Sequence, residues 1–151
     1  MKTEISNEIS RLELHDSSFE TITRHDNEIK ITFDWSKLEN LKEQNIAEPI
    51  IIGKTTMFLT GLNSEEFKVF EDNDIKKIST IPVPDDIIEG IENIGANEID
   101  DNNKKIKISG LYNKNGKLKW VEWSFHFDTC KVSWSSHITY TEWLNGKLPK
   151  D

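Results

Sequence analysis

Lys105-Ile106-Lys107-Ile108-Ser109-Gly110-Leu111-Tyr112-Asn113-Lys114-Asn115-Gly116-Lys117-Leu118-Lys119-Trp120-Val121-Glu122-Trp123-Ser124-Phe125-His126 is an alternating stretch interrupted by one Asn-Gly pair. Asparagine and glycine tolerate the positive φ angles of a type I′ turn, whose twist suits two antiparallel strands, so the chain is expected to reverse at Asn115-Gly116. Lys114 then faces Lys117, and Ile106, Ile108 and Gly110 fall opposite Phe125, Trp123 and Val121. These six share one face. A slip of one residue would turn all of them outward, so a buried face pins the pairing.

Toward the C-terminus, a second two-residue turn at Thr129-Cys130 sets Phe127 opposite Val132 and Phe125 opposite Trp134, again on the apolar face. The expectation is a C-terminal three-stranded meander at 104–112, 117–128 and 131–140. Its outer rungs read Lys105, His126, Ser133; Lys107, Ser124, Ser135; Ser109, Glu122, His137; and Leu111, Trp120, Thr139.

The N-terminal direction is less regular. Ile5, Ile9 and Leu12 have the spacing of one helical face, and 19–24 with 28–35 reads as a hairpin turning at His25-Asp26-Asn27-Glu28. Ser36-Lys37-Leu38-Glu39 has the spacing of a capping box and predicts a helix at about 37–45. Residues 50–61 read as a strand that is buried on both faces or bent, and Phe67, Val69, Ile75 and Ile78 mark shorter strands. Asp86-Ile87-Ile88-Glu89 offers a second capping box. With Ile87, Ile91 and Ile94 on one side and Gly95 as a stop, it predicts a helix, followed by a polar loop at 96–103.

These elements define an α+β, β-dominated fold, an antiparallel β-sandwich or strongly curved sheet carrying two or three short helices. The 151 residues suit a single domain, 1–151, and five Trp and seven Phe supply large core side chains. No apolar run reaches membrane-spanning or signal-peptide length, so a cytoplasmic address and no membrane partner are expected. Cys130 is the only cysteine, which excludes an internal disulfide and multi-thiolate zinc sites; the histidines lack ligand spacing, and no cofactor motif is present.

Charge is uneven. Residues 63–103 carry 12 acids against 3 bases, residues 104–151 carry 4 against 9, and the net charge is −8. That sign argues against a nucleic-acid partner and for a basic protein.

Two constellations invite a hydrolase reading: His126 facing Ser133 with Asp128 nearby, and Glu122 beside His137. An open sheet face supplies neither an oxyanion site nor shielding, so no residue is assigned a catalytic role and a non-catalytic protein is expected. Trp120, Glu122, His126 and His137 instead read as candidate partner-binding side chains on the outer face, with Trp120 and Leu111 as an aromatic anchor. A small-ligand or carbohydrate-binding module is the alternative.

Leu14-His15-Asp16-Ser17-Ser18-Phe19, followed by Ile22 and Ile29-Lys30-Ile31-Thr32-Phe33-Asp34-Trp35, resembles the opening of small bacterial families that include immunity proteins of polymorphic toxin systems. The resemblance covers residues 14–35. It implies an acidic, cytoplasmic, single-domain protein that neutralises a cognate toxin domain. Glu71, Asp72, Asp74, Asp100 and Asp101 would then meet basic residues of the toxin. The oligomeric state is left open.

Overall fold

The computed structural model describes residues 2–150, Asn73 by its backbone only. In chain order the strands are β1 (Thr3–Ile5), β2 (Leu12–Glu13), β3 (Phe19–His25), β4 (Glu28–Phe33), β5 (Ser36–Leu38), β6 (Ile50–Ile52) and β7 (Thr55–Thr60). They continue as β8 (Asn63–Phe70), β9 (Ile78–Ile81), β10 (Ile91–Asp100), β11 (Lys105–Lys114), β12 (Lys117–His126), β13 (Thr129–Trp134) and β14 (His137–Thr139). Two short helices, α1 (Ile87–Gly90) and α2 (Tyr140–Leu144), complete the β-dominated α+β fold.

Three antiparallel sheets result, with strand orders β1-β13-β7-β4-β3, β10-β11-β12-β8-β9 and β14-β6-β5-β2. Their inward side chains form one hydrophobic cluster. The ring of Phe19 on β3 lies 6.2 Å from that of Trp123 on β12, a contact between the two five-stranded sheets within this cluster.

The β11–β12 hairpin pairs as read, from Lys105 opposite His126 to Lys114 opposite Lys117. Asn115 and Gly116 both have positive φ, 53° and 82°. The β3–β4 hairpin also forms, with His25 opposite Glu28.

The third strand of the expected meander is a correction. After β12 the chain crosses to the other five-stranded sheet, where β13 pairs with β1 and β7. The amides of Phe127 and Asp128 are tied to the carbonyls of Lys104 and Thr60 at the crossing. Because the sheets face one core, Cys130, Val132 and Trp134 are buried whichever sheet holds them. Alternation therefore cannot separate a hairpin from a crossover between sheets that share one core. The strand beside β12 is β8, and the consecutive antiparallel run is β10, β11, β12.

Three expected helices are each reduced to a single turn, at Ile9–Arg11, Lys42–Gln44 and Ile87–Gly90, with strands taking up neighbouring residues. Ile5, Ile9 and Leu12 are all buried, but on β1, a 3-10 turn and β2. Ser36 caps nothing: its hydroxyl meets that of Thr55 at 2.7 Å, and Leu38 pairs with Ile50. The helix at Asp86 lasts one turn before β10 begins at Ile91, and β10 runs to Asp100 through most of the expected polar loop. Isoleucine is β-branched and packs well on a pleated surface, so a free partner strand outcompetes a helix at these positions. The bent reading of 50–61 holds, with β6 and β7 in different sheets on either side of Gly53 and Lys54. Ile75 lies in an exposed loop between β8 and β9.

Candidate functional site

The sequence-selected residues occupy several places. Asp100, Asp101 and His126 come together along a polar groove of about 1280 Å³, with Arg11, Lys42, Glu98, Lys105 and Lys107 also lining it. Most of its charges are already engaged. Asp100 accepts from the amides of Asn102 and Asn103, each at 3.0 Å, and so shapes the β10–β11 turn. Those bonds hold its carboxyl below the usual range. Asp101 accepts from the amide of Ser10 at 3.2 Å. Arg11 is buried and gripped by both carboxylate oxygens of Glu43 at 2.9 Å, while Lys42 pairs with Glu8.

On the outer face of the second sheet, Lys107 lies 3.4 Å from Glu98 and 3.9 Å from Glu122. Lys68 of β8 stands across from Glu122, where His137 was expected. Among the described residues, Nδ1 of His126 is buried and has no hydrogen-bond partner. Trp120 lies across from Leu111 and is half-buried.

The 71–74 acids lie in the β8–β9 connection among lysines. Glu71 pairs with Lys119, Asp72 lies 3.9 Å from Lys77, and Asp74 accepts from the amide of Lys76 at 2.9 Å. The hydrogen bond from Lys119 holds the Glu71 carboxyl below its ordinary range.

Neither pair behind the hydrolase reading is assembled. Ser133 lies on β13 in one sheet and His126 on β12 in another, and His137 belongs to the third sheet, away from Glu122. His137 instead accepts a hydrogen bond at Nδ1 from the indole nitrogen of Trp134 at 2.8 Å. Cys130, expected at a turn tip, is a buried strand residue whose thiol burial pushes up to about 12. Among the described residues no group of three His, Cys, Asp or Glu side chains is placed to hold a metal ion.

Sequence reasoning did not single out a second groove of about 520 Å³. Ile22 and Arg24 of β3, Glu65 of β8, Trp123 of β12 and Val83, Pro84, Asp85, Ile87 and Ile88 line it. Arg24 donates to Glu65 across the two sheets, 2.8 Å from Nη1 to Oε1, and its guanidinium sits 5.9 Å from the centre of the Trp123 ring. The indole nitrogen of Trp123 donates to Oε2 of Glu65 at 2.6 Å.

Asp85 of this lining is exposed, as are Glu89 and Glu92 a few residues farther along the chain. Among the described residues none of the three is within ion-pair distance of a lysine or arginine. Ser18 ties the neighbourhood together: its amide donates to Asp34 at 2.7 Å and its hydroxyl to the carbonyl of Glu92 at 2.7 Å. Asp86 accepts from the hydroxyl of Tyr112. The legible signal was the acid surplus of residues 63–103; which acids would lack a cation was decided by the fold.

The class these observations define is a β-dominated α+β protein with three antiparallel sheets, two short helices and two separate grooves, one polar and one with a partly aliphatic lining. No family model matches the chain, and no curated protein and no solved structure is significantly similar to it. No helix is long and apolar enough to cross a membrane among the described residues.

Proposed function

We propose that this chain is a non-catalytic protein-binding domain for a basic partner, and that the partner is a toxin domain it neutralises, as the resemblance of residues 14–35 implies. One observation carries the reading. The carboxylates of Asp85, Glu89 and Glu92 lack a lysine or arginine partner among the described residues, whereas Glu71 and Glu122 have lysine neighbours. Unpaired acids close together in a chain of net charge −8 contribute to a negative field, which speeds encounter with a basic surface and disfavours acidic partners.

Co-expression with the product of the adjacent reading frame tests the proposal. A complex that co-purifies, weakens as salt rises and suppresses toxicity is expected; no complex and no protection would overturn it. A small-ligand module is the second reading, favoured by the polar groove and the unpartnered Nδ1 of His126. It predicts that soluble sugars or nucleotides shift the His126 ring resonances.

A further inference from the structure

β9 and β10 are opposite edges of the second sheet, so their connection must cross its full width. With five strands about 4.8 Å apart, that is about 19 Å. Residues 82–90 make the crossing, starting with Pro82 and Pro84, which have no amide to donate, and ending in the single turn of α1. Ile87 is buried and anchors the crossing in the core, whereas Val83, Pro84 and Ile88 stay half-exposed. The second groove is the space left between this crossing and Ile22 of β3.

Its floor is electrically closed, because Arg24 and Glu65 satisfy each other and Trp123 adds its N–H. Ile22, Val83, Pro84, Ile87 and Ile88 give the lining an aliphatic part, Asp85 adds a carboxylate to it, and Glu89 and Glu92 follow a few residues on in the chain. An anionic ligand would meet Asp85, Glu89 and Glu92 while the groove's one cation is already taken. A second copy of a chain carrying −8 would bring like charges together. A cationic segment with an aliphatic side chain satisfies both parts.

We propose that this groove docks a basic polypeptide segment, seating one aliphatic side chain against Ile22, Val83 and Ile88 while its flanking lysines or arginines meet Asp85, Glu89 and Glu92. The inference rests on the protein-binding reading above and names its contact surface. The aliphatic anchor supplies the desolvated centre and the charges supply orientation.

The test is an amide NMR titration of the full chain with three synthetic peptides of equal length: lysine with leucine, lysine with serine, and glutamate with leucine. The lysine–leucine peptide is expected to shift Ile22, Val83, Ile88 and the Trp123 indole, and to bind about tenfold more tightly than the lysine–serine peptide. The glutamate–leucine peptide should leave these signals in place. Asp85→Asn, Glu89→Gln and Glu92→Gln together should remove most of the salt dependence, and Ile88→Ser should reduce the leucine peptide to the level of the serine peptide. Asp85, Glu89 and Glu92 are exposed and Ile88 is partly buried, and each variant's amide spectrum reports whether it folds.

Equal binding of both lysine peptides, shifts confined to another surface, or unchanged binding by the triple variant would overturn the assignment. If a co-expressed partner binds the triple variant as tightly as the native chain, the groove assignment falls and the protein-binding reading stands. If the groove takes the lysine–leucine peptide but no partner complex forms, the functional reading falls and the groove stands.

Discussion

Trp123 on β12 and Arg24 on β3 hold the same carboxylate, that of Glu65, from opposite sheets. Burial pushes the Glu65 carboxyl up, and the hydrogen bonds from Arg24 and Trp123 outweigh it, so the group is held below its ordinary value. A lowered carboxyl contributes stability that is complete above its unfolded value near 4.5 and is lost as pH falls through the folded value. Arg24→Met should cost about 1–2 kcal/mol at neutral pH, because both partners keep some solvent contact. Part should return in the Arg24→Met, Glu65→Gln double variant, which removes the stranded charge. Urea unfolding of the four-member cycle measures the coupling, and a coupling near zero would count against an inter-sheet clamp.

His137 also loses a stabilising contact on acidification, at a higher pH. Its Nδ1 accepts from Trp134, so the folded state prefers the neutral ring; burial lowers its pKa, partly opposed by Glu142. Stability from this contact is present above the unfolded value of 6.5 and declines as pH falls through the lowered folded value, where two N–H donors would face each other. In His137→Asn the amide oxygen can still accept from Trp134 but does not titrate. The stability difference between native chain and variant should therefore be flat above neutrality and move by about 1 kcal/mol in the variant's favour at mildly acidic pH.

Asn97 stands in for a missing strand. Its Oδ1 accepts from the amide of Leu14 at 2.9 Å and its Nδ2 donates to the carbonyl of Leu12 at 3.0 Å, joining β10 to the segment after β2. Asn97→Ala leaves both backbone groups without that partner and should cost about 2 kcal/mol, with faster hydrogen exchange at Leu14. Asn97→Asp keeps the acceptor, faces a carboxylate toward the Leu12 carbonyl, and should protect Leu14 while remaining destabilised.

Gly95 makes room for Trp120. A Cβ there would lie 2.7 Å from the Trp120 ring, too close without movement. Gly95→Ala should cost about 1–3 kcal/mol and shift Trp120 fluorescence. An unchanged spectrum and melting curve would mean that the ring has free space to retreat into.

The same glycine illustrates how far the chain could be read in advance. Gly95 after an isoleucine series looks like a helix stop, yet it lies within β10, beside an irregularity in the pairing of Ile94 and Ala96 with β11. Ser36 and Asp86 had capping-box spacing, but the box that forms is at Thr139, whose hydroxyl accepts from the amide of Glu142 while Glu142 reaches back to the Thr139 amide. Spacing alone does not distinguish them: Ser36 is taken into β5, and Asp86 precedes α1 but its carboxylate accepts from the Tyr112 hydroxyl and makes no cap. The acids behaved likewise. Asp100 and Asp101 stood out as part of an acidic block, but they took structural hydrogen bonds, whereas Asp85, Glu89 and Glu92, which did not stand out, are exposed and have no lysine or arginine within ion-pair distance among the described residues.

Local chemistry determined the two hairpins, the register of β11–β12 and the identity of most core side chains, because its Asn-Gly turn and strict alternation leave one pairing that buries the large residues of that hairpin together. Tertiary structure decided which sheet each later strand joined, whether isoleucine-rich segments became helix or strand, and which carboxylates kept an uncompensated charge. Those outcomes depend on partners distant in sequence: a strand's inward face looks the same to either sheet around the core, and an acid is neutralised only by the lysine the fold brings beside it.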